Sequence, residues 1–329
     1  MRQFNNRIWV GLRLLGLAAG LLAARPAGAQ SAAAPAFAVV PLGVRGGLDE
    51  SNLSAYLVAP AGSAAYVCLD AGSLRTGLEK ALASRALAGP GPEAVLRQQV
   101  CAYLLSHAHL DHVAGLLLNA PDDSSKPIYG LASCLKTLQN DYFNWRAWPN
   151  FGNGGAAPAL GKYQLLPLAP GPALGIPGTA LRVRAFPLSH GPGYESAAFL
   201  LQSGPDYLLY LGDTGADELE HSQHLRTLWQ AVAPLVQAGQ LRGIFLETSY
   251  PNEQPETQLF GHLTPRRLWQ ELGTLGQLAG PEALRRVPLI ITHRKPPANQ
   301  EAAIARQLAA GNTLGMKLVY PVQGQRLGL

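Results

Sequence analysis

The run "SHAHLDHVAGL" at residues 106–116 places His107, His109, Asp111 and His112 within six positions of a chain that has eight histidines in all. Imidazoles and a carboxylate at this density serve a hydrated surface, a metal ion or acid–base chemistry. In an extended backbone His107 and His109 project to the same side, because side chains alternate with a period of two. Asp111 and His112 then open a helix-like segment, "HVAGLLL", that turns them back toward the same point. Neighbouring imidazoles repel when protonated and gain little when neutral, whereas a divalent cation binds them all.

The cluster is not alone. The segments "VCLD", "LLSHAHLDH", "AFPLSH", "LYLGD", "FLET" and "LIITH" each close an apolar run with a ligand-type or acidic residue. These strand ends deliver Asp70, the 107–112 cluster, His190, Asp213, Glu247 and His293, and equivalent ends of neighbouring strands converge in space. The inventory suits two ions: His107, His109 and His190 for one, Asp111, His112 and His293 for the other, with Asp213 bridging. Nitrogen and carboxylate ligands favour Zn²⁺ over Mn²⁺ or Fe. A closed structural zinc site is typically rich in Cys, and Cys101 lies roughly 20 Å from His107 along a strand. The expectation is therefore an open, catalytic pair of ions. Such a pair holds a hydroxide at neutral pH and stabilises charge on an attacked ester oxygen. No G-x-x-x-x-G-K-[ST] phosphate loop occurs.

The elements that must position these residues read as short strands, "FAVVPLGV", "SAYLVAP" and "AAYVCLD", then a helix in "SLRTGLEKALASRALA" and the strand "QVCAYLLS" that runs into the cluster. "ASCLKTLQNDYFNW" is helix-like. "YQLLPL", "LRVRAFPLS", "AAFLLQS", "DYLLYLG", "GIFLET" and "VPLIITH" read as strands, and 216–238, 264–278 and 298–311 as helices. No short-period repeat or dividing linker interrupts the chain, so 30–329 reads as a single domain. Cys68, Cys101 and Cys134 sit in apolar elements as thiols, with a Cys68–Cys101 bridge as the alternative. The 36 Gly and 26 Pro, against 14% charged residues, imply long loops on a solid core.

Residues 1–29 carry a basic start, the short apolar core "LLGLAAGLLAA" and the small-residue site Ala27-Gly28-Ala29, the pattern of a signal peptide. The apolar run is too short to span a bilayer comfortably, so the expectation is an exported, periplasmic or secreted protein without a stable membrane anchor. Arg2, Arg7, Arg13 and Arg25 lie in this leader, which leaves 22 basic against 21 acidic residues and a net charge of +1. That balance gives no sign of a nucleic-acid polymer as partner. Oligomeric state is not legible.

H-x-H-x-D-H after a strand, followed by His190, Asp213 and His293, resembles the metallo-β-lactamase superfamily. The resemblance spans Asp70 to His293 and implies an α/β, four-layer αββα sandwich with metals at one edge of two sheets. Within the superfamily, "HAHLDHVAGLLLNAP", "GGLDESNLSAYLV", "FNWRAWPNF", "FPLSHG", "ETSYPN" and "GHLTP" are most similar to the class II cyclic-nucleotide phosphodiesterases. Ala120 departs from that pattern, which has Ser before the proline. The resemblance implies a 3′,5′-cyclic nucleotide such as cAMP or cGMP as substrate, opened to the 5′-monophosphate. Other hydrolases of this scaffold (a β-lactamase, a lactonase, a general phosphodiesterase) are the alternative, with a non-catalytic metal-binding protein a third reading.

For a phosphodiester the leaving 3′-oxygen needs a proton. His262 in "GHLTP", outside the ligand set, resembles the non-ligand histidine of superfamily nucleases such as the tRNA 3′-processing enzymes, and Glu247 fits the carboxylate that orients it. The bland alternative for His262 is a water-exposed residue ahead of a helix that starts at Thr264-Pro265. Asp111 is assigned to catalysis as well as to metal. Asn140, Asn144 and Trp148 are candidates for a base pocket, since an aromatic face suits a purine. His221 and His224 read as surface residues a turn apart on one helix.

Overall fold

The computed structural model describes residues 34–295 and 298–329, together with Met1 and Gly11. The signal-peptide expectation therefore falls almost wholly outside the described residues. The chain divides into Met1–Ala34 and Pro35–Leu329, and among the described residues every strand and helix lies in the second unit.

Among the described residues, fourteen strands form two seven-stranded sheets. In chain order they are β1 (Phe37–Gly43), β2 (Ala55–Pro60), β3 (Tyr66–Leu69), β4 (Val100–Leu104), β5 (Lys126–Gly130), β6 (Tyr163–Pro167), β7 (Leu174–Gly175), β8 (Arg182–Ser189), β9 (Glu195–Ser203), β10 (Asp206–Leu211), β11 (Leu241–Glu247), β12 (Leu289–Thr292), β13 (Leu318–Val319) and β14 (Leu327–Gly328). The α-helices are α1 (Arg75–Ala83), α2 (Pro92–Gln98), α3 (Leu110–Asn119), α4 (Ala132–Thr137), α5 (Asp217–Glu220), α6 (His224–Gln237), α7 (Pro265–Ala279), α8 (Pro281–Arg285) and α9 (Ala298–Gly311). The first sheet runs β14-β1-β2-β3-β4-β5-β6 and the second β13-β12-β11-β10-β9-β8-β7.

Side-chain alternation builds the layers. On β1, Val39 points between the sheets while Val40 points outward, where it meets Leu78 of α1 and Leu116 of α3. Val58, Leu104, Phe199, Tyr210 and Phe245 fill the space between the two sheets. On the far side Leu209, Leu246 and Ile291 bury against Leu228 and Trp229 of α6, Leu268 and Leu272 of α7 and Ile304 of α9. The result is helices, sheet, sheet, helices: the four-layer αββα sandwich.

Strand direction explains where the chemistry collects. β3 and β4 are parallel, so Asp70 and His107 leave the first sheet at the same edge. β10, β11 and β12 are mutually parallel, and β8 shares their direction through two antiparallel steps across β9. His190, Asp213, Glu247 and His293 therefore all sit at one edge of the second sheet, the carboxyl ends of its strands.

Two local expectations are corrected. Residues 216–238 form two helices: His221 adopts a left-handed conformation (φ 50°) that ends α5, and α6 begins at His224. His221 and His224 are thus not a turn apart on one helix; the first is exposed and the second half-buried. The segment after Cys134 leaves α-helical geometry, with 138–142 forming a π-type turn. Cys68, Cys101 and Cys134 are all free thiols, as expected from the sequence, and the alternative Cys68–Cys101 bridge does not form. Among the described residues no helix is long and apolar enough to cross a membrane.

Candidate active site

Seven side chains meet at the shared sheet edge. The groups His107/His109/His190 and Asp111/His112/Asp213/His293 each bring their donor atoms within 4.8 Å of one another. Asp213 Oδ2 lies between them, 3.3 Å from His112 Nε2, 3.1 Å from His293 Nε2 and 3.8 Å from both His107 Nε2 and His190 Nε2. The structure thus brings the seven residues singled out in the sequence together, and His262 joins two further groups of the same spacing, one with His190 and Asp213 and one with Glu247 and His293.

Each imidazole is aimed by what its other nitrogen touches. His112 Nδ1 bonds Asp70 Oδ2 at 2.8 Å, His190 Nδ1 bonds the Gly261 carbonyl at 2.8 Å, and His107 Nδ1 and His293 Nδ1 meet the hydroxyls of Ser106 (3.0 Å) and Ser249 (2.9 Å). That leaves the Nε2 atoms of these four pointing inward. His109 ends the loop as the N-cap of α3 and stacks on Tyr194 at 4.5 Å between ring centroids. Its Nδ1 sits 3.1 Å from His107 Nε2 and 3.2 Å from His190 Nε2. Asp111 Oδ2 accepts from the Gly47 amide at 2.9 Å.

Backbone geometry tightens the frame. His293 holds a positive φ of 54°, a conformation costly for a residue with a side chain and tolerated where the surroundings fix it. Its ring lies against Gly46, where an added Cβ would come within 2.2 Å of it. Gly261 (φ 74°) is as confined: a Cβ there would reach 2.3 Å from the Gly191 amide, breaking the contact that orients His190.

The donor set fits a divalent cation. His112 Nε2 is buried and has no hydrogen-bond partner, although its other nitrogen is firmly held. Burial, with His112 nearby, pushes His107 well below its ordinary value; burial likewise lowers His109 and brings His190 to about 4. These three are neutral, with lone pairs available. Burial also acts to lower His112, but Asp213, Asp70 and Asp111 outweigh it and hold His112 well above its ordinary value. Burial raises Asp213 and Asp111, but His293 and His112 hold both carboxyls below the usual range. The two ionised carboxylates thus attract positive charge to the centre, and the imidazole and carboxylate donors suit metals such as zinc.

His262 stands beside this set. Its Nδ1 is 2.7 Å from Glu247 Oε1 and its Nε2 is 2.9 Å from Lys295 Nζ. Glu247 is fully buried, and Ser249 Oγ (2.7 Å) and the amides of Thr214 (3.3 Å) and Leu263 (3.4 Å) donate to it. Burial raises the Glu247 carboxyl, yet His262 brings it below its usual value, so it is a carboxylate fit to hold an Nδ1–H. His262 is also buried, not water-exposed. The helix after it starts as the sequence indicates, with Thr264 Oγ1 capping the Arg267 amide and Pro265 in the first turn.

The sequence profile of the class-II cAMP phosphodiesterases matches residues 93–324. A 3′,5′-cyclic-nucleotide phosphodiesterase of Aliivibrio fischeri is 41% identical over 90% of this chain and 94% of its own. A probable 3′,5′-cyclic-nucleotide phosphodiesterase of Yersinia pestis is 39% identical over 90% of each. The chain belongs to the class-II cAMP phosphodiesterase family. Its fold agrees: unliganded yeast PDE1 superposes with a TM-score of 0.80 over 90% of this chain and all of the yeast chain, at 23% identity. The metallo-β-lactamase fold protein YhfI of Bacillus subtilis does so with a TM-score of 0.58 over 88% and 99%, at 16% identity.

In this family member Leu110, between two of the clustered residues, is 60% exposed and divides two hollows beside the centre. One, of about 280 Å³, is lined by Leu110, Ala114, Leu117, Leu118, Tyr142 and Trp148. The other, of about 420 Å³, is bounded by Gly47, Leu48, Leu110, Asp111 and Lys295. Of the three residues singled out for a base pocket, Trp148 lines the apolar hollow. Asn144 is engaged elsewhere: its Oδ1 accepts from the amides of Arg146 and Ala147 and its Nδ2 donates to the Asn140 carbonyl. Asn140 is exposed. Ala120, the departure from the family pattern, is fully buried at the end of α3, so it bears on packing.

Sequence reasoning did not find Ser106, Ser249, Tyr194 or Lys295. Ser106 precedes His107, Tyr194 follows His190 by four residues, and Lys295 follows His293 by two. Their proximity was readable, but the contact of Ser249 with His293 spans 44 residues.

Proposed function

We propose that the chain is an exported phosphodiesterase that hydrolyses 3′,5′-cyclic nucleotides to 5′-monophosphates at a centre of two divalent ions, Zn²⁺ by the character of the donors. The observation that carries the reading is the coexistence of a shared carboxylate, Asp213, between two ligand groups and a separate, carboxylate-held histidine, His262. Storage of metal needs only the first. Hydrolysis of a cyclic phosphodiester needs both, since water adds its oxygen to phosphorus while the broken P–O3′ bond leaves an oxygen that must take a proton.

His107, His109 and His190 would hold one ion, Asp111, His112 and His293 the other, with Asp213 touching each. A pair of such ions supplies Lewis acidity, neutralising phosphate charge and making water acidic enough to attack at neutral pH. The protein's part is orientation. Asp70, Ser106, Ser249 and the Gly261 carbonyl fix the rings, and Glu247 accepts the Nδ1–H of His262 and would stabilise the imidazolium that delivers a proton from Nε2. The apolar hollow of Leu110, Tyr142 and Trp148 offers a face to the purine.

Product analysis with cAMP, cGMP and bis(p-nitrophenyl) phosphate on metal-replete protein tests the activity. Turnover of cyclic nucleotides to 5′-monophosphates supports the reading, and hydrolysis of the synthetic diester alone replaces it with a general phosphodiesterase. Export rests on the 1–29 pattern, and intact-mass measurement of protein from the cell envelope tests it. A chain cut near Ala29-Gln30 supports export, and full-length chain in the cytoplasm refutes it.

A further inference from the structure

Lys295 is a cation without a carboxylate. Among the described residues no Asp or Glu oxygen lies within 4.0 Å of its ammonium, in contrast to Arg45 and Arg294 nearby, which both pair with Glu301. Its Nζ is 2.9 Å from His262 Nε2, 3.5 Å from the Tyr250 hydroxyl and 5.2 Å above the Tyr250 ring. It shares the larger hollow with Gly47 and Asp111. It is half-buried, so it is neither fully hydrated nor neutralised. Aromatic and imidazole partners fix where the ammonium sits, and none of them pairs with its charge directly, so it faces the hollow it shares with Glu50 and Asp111 with donors to offer an anion.

We infer that Lys295 is a phosphate-binding residue: its ammonium receives a non-bridging oxygen of the cyclic phosphodiester and, after turnover, of the 5′-phosphate. The inference rests on the phosphodiesterase reading and goes beyond it. Because a compact ammonium binds an anion as a point charge, it favours the phosphate whatever the base. Its present partner, His262 Nε2, is the nitrogen that must be free to face the leaving oxygen. Transfer of the ammonium from Nε2 to the incoming phosphate would release that nitrogen as substrate seats. Lys295 thus links occupancy of the site to readiness of His262, without itself touching the breaking bond.

The test compares wild type, Lys295→Met and Lys295→Arg as metal-replete proteins, with metal content measured in each. Calorimetric titration uses 5′-AMP and adenosine as probes. Lys295→Met should weaken 5′-AMP binding by on the order of tenfold and leave adenosine binding close to wild type, with KM for cAMP rising by a similar factor. Lys295→Arg, which keeps the charge, should recover part of both. Unchanged 5′-AMP affinity in Lys295→Met would overturn the inference. So would a fall in kcat that shrinks with a p-nitrophenyl ester while KM and 5′-AMP affinity stay at wild type, because the lysine would then act only through His262 and have no part in binding phosphate. If the wild type fails to turn over cAMP, the functional reading falls, while the 5′-AMP and adenosine titrations still decide whether Lys295 binds phosphate.

Discussion

Asp70 Oδ2 lies 2.8 Å from His112 Nδ1, and the same carboxylate accepts from the Ser106 amide (2.7 Å), the Ser106 hydroxyl (2.9 Å) and the Tyr210 hydroxyl (2.6 Å). Asp70 is fully buried and its four bonds tie the ends of β3, β4 and β10 to one ligand. Asp70→Asn should keep the fold and lower metal affinity by about 10–100-fold, the usual effect of removing such an orienting partner. Competition against a chelator of known affinity measures it.

Asp213 alone reaches both ligand groups. Asp213→Ala should lose both ions, and elemental analysis that finds full occupancy in that variant refutes the bridging assignment. The side chain is buried and holds no structural bond besides these contacts with imidazoles, so circular dichroism should report an intact fold.

His262→Ala should retain its metal and lose roughly 10²–10⁴ in kcat for cAMP, the range of a general acid. The loss should shrink for a p-nitrophenyl phosphodiester, whose leaving group departs unprotonated. Glu247→Gln should follow the same pattern more weakly. Equal losses on both substrates would make His262 a phosphate-positioning group instead.

The pH dependence of the metal-free protein has a defined sign. His190 is lowered by burial to about 4, and His107 and His109 are lowered by burial as well, while an unfolded histidine titrates near 6.5. Between about pH 6.5 and about pH 4 the unfolded chain binds more protons, so stability falls as pH falls through that window. His112, held above its ordinary value, opposes this trend only near pH 6.5, where its unfolded form is still taking up a proton. Glu220 and Glu271, raised by burial, oppose it lower in the window, and the lowered Asp111 and Asp213 act below it. Denaturant titration after chelation should give a lower midpoint at about pH 4.5 than at about pH 6.5. Equal midpoints would contradict it.

Leu110 is the apolar residue most open to solvent between two ligands. Leu110→Asp should leave metal content intact and raise KM for cAMP and cGMP alike, by on the order of tenfold, because it puts an anion where an anionic substrate enters. Steady-state kinetics on both nucleotides checks this. A change confined to one would mean that this face discriminates bases.

The site was legible in the sequence where chemistry is carried by rare residue types at strand ends. His107, His109, His190 and His293 are conspicuous in a chain with few histidines, and Asp213 closes an unmistakable apolar run. The second ring of contacts was not. Serine at 106 or 249 looks like any loop serine until the fold brings Ser249 within 2.9 Å of a ring 44 residues away. Lys295 gains its meaning from a histidine 33 residues earlier. In the fold, β5 escaped notice because "KPIYG" holds a proline and a short apolar run, and α2 because "PGPEAVLRQ" begins in turn residues. The break at His221 depends on a single left-handed residue, which periodicity across 216–238 conceals.

The candidate ligands are divided between the two sheets: His107, His109, Asp111 and His112 follow β4 of the first, while His190, Asp213 and His293 follow strands of the second. A cation held by both groups would be a rivet through the sandwich. Whatever free energy it gains on binding is gained only when the two layers are docked in register, so it counts toward holding them together. Chelation should then loosen the whole molecule, and a chain that reaches its destination before meeting metal would complete its hardening there.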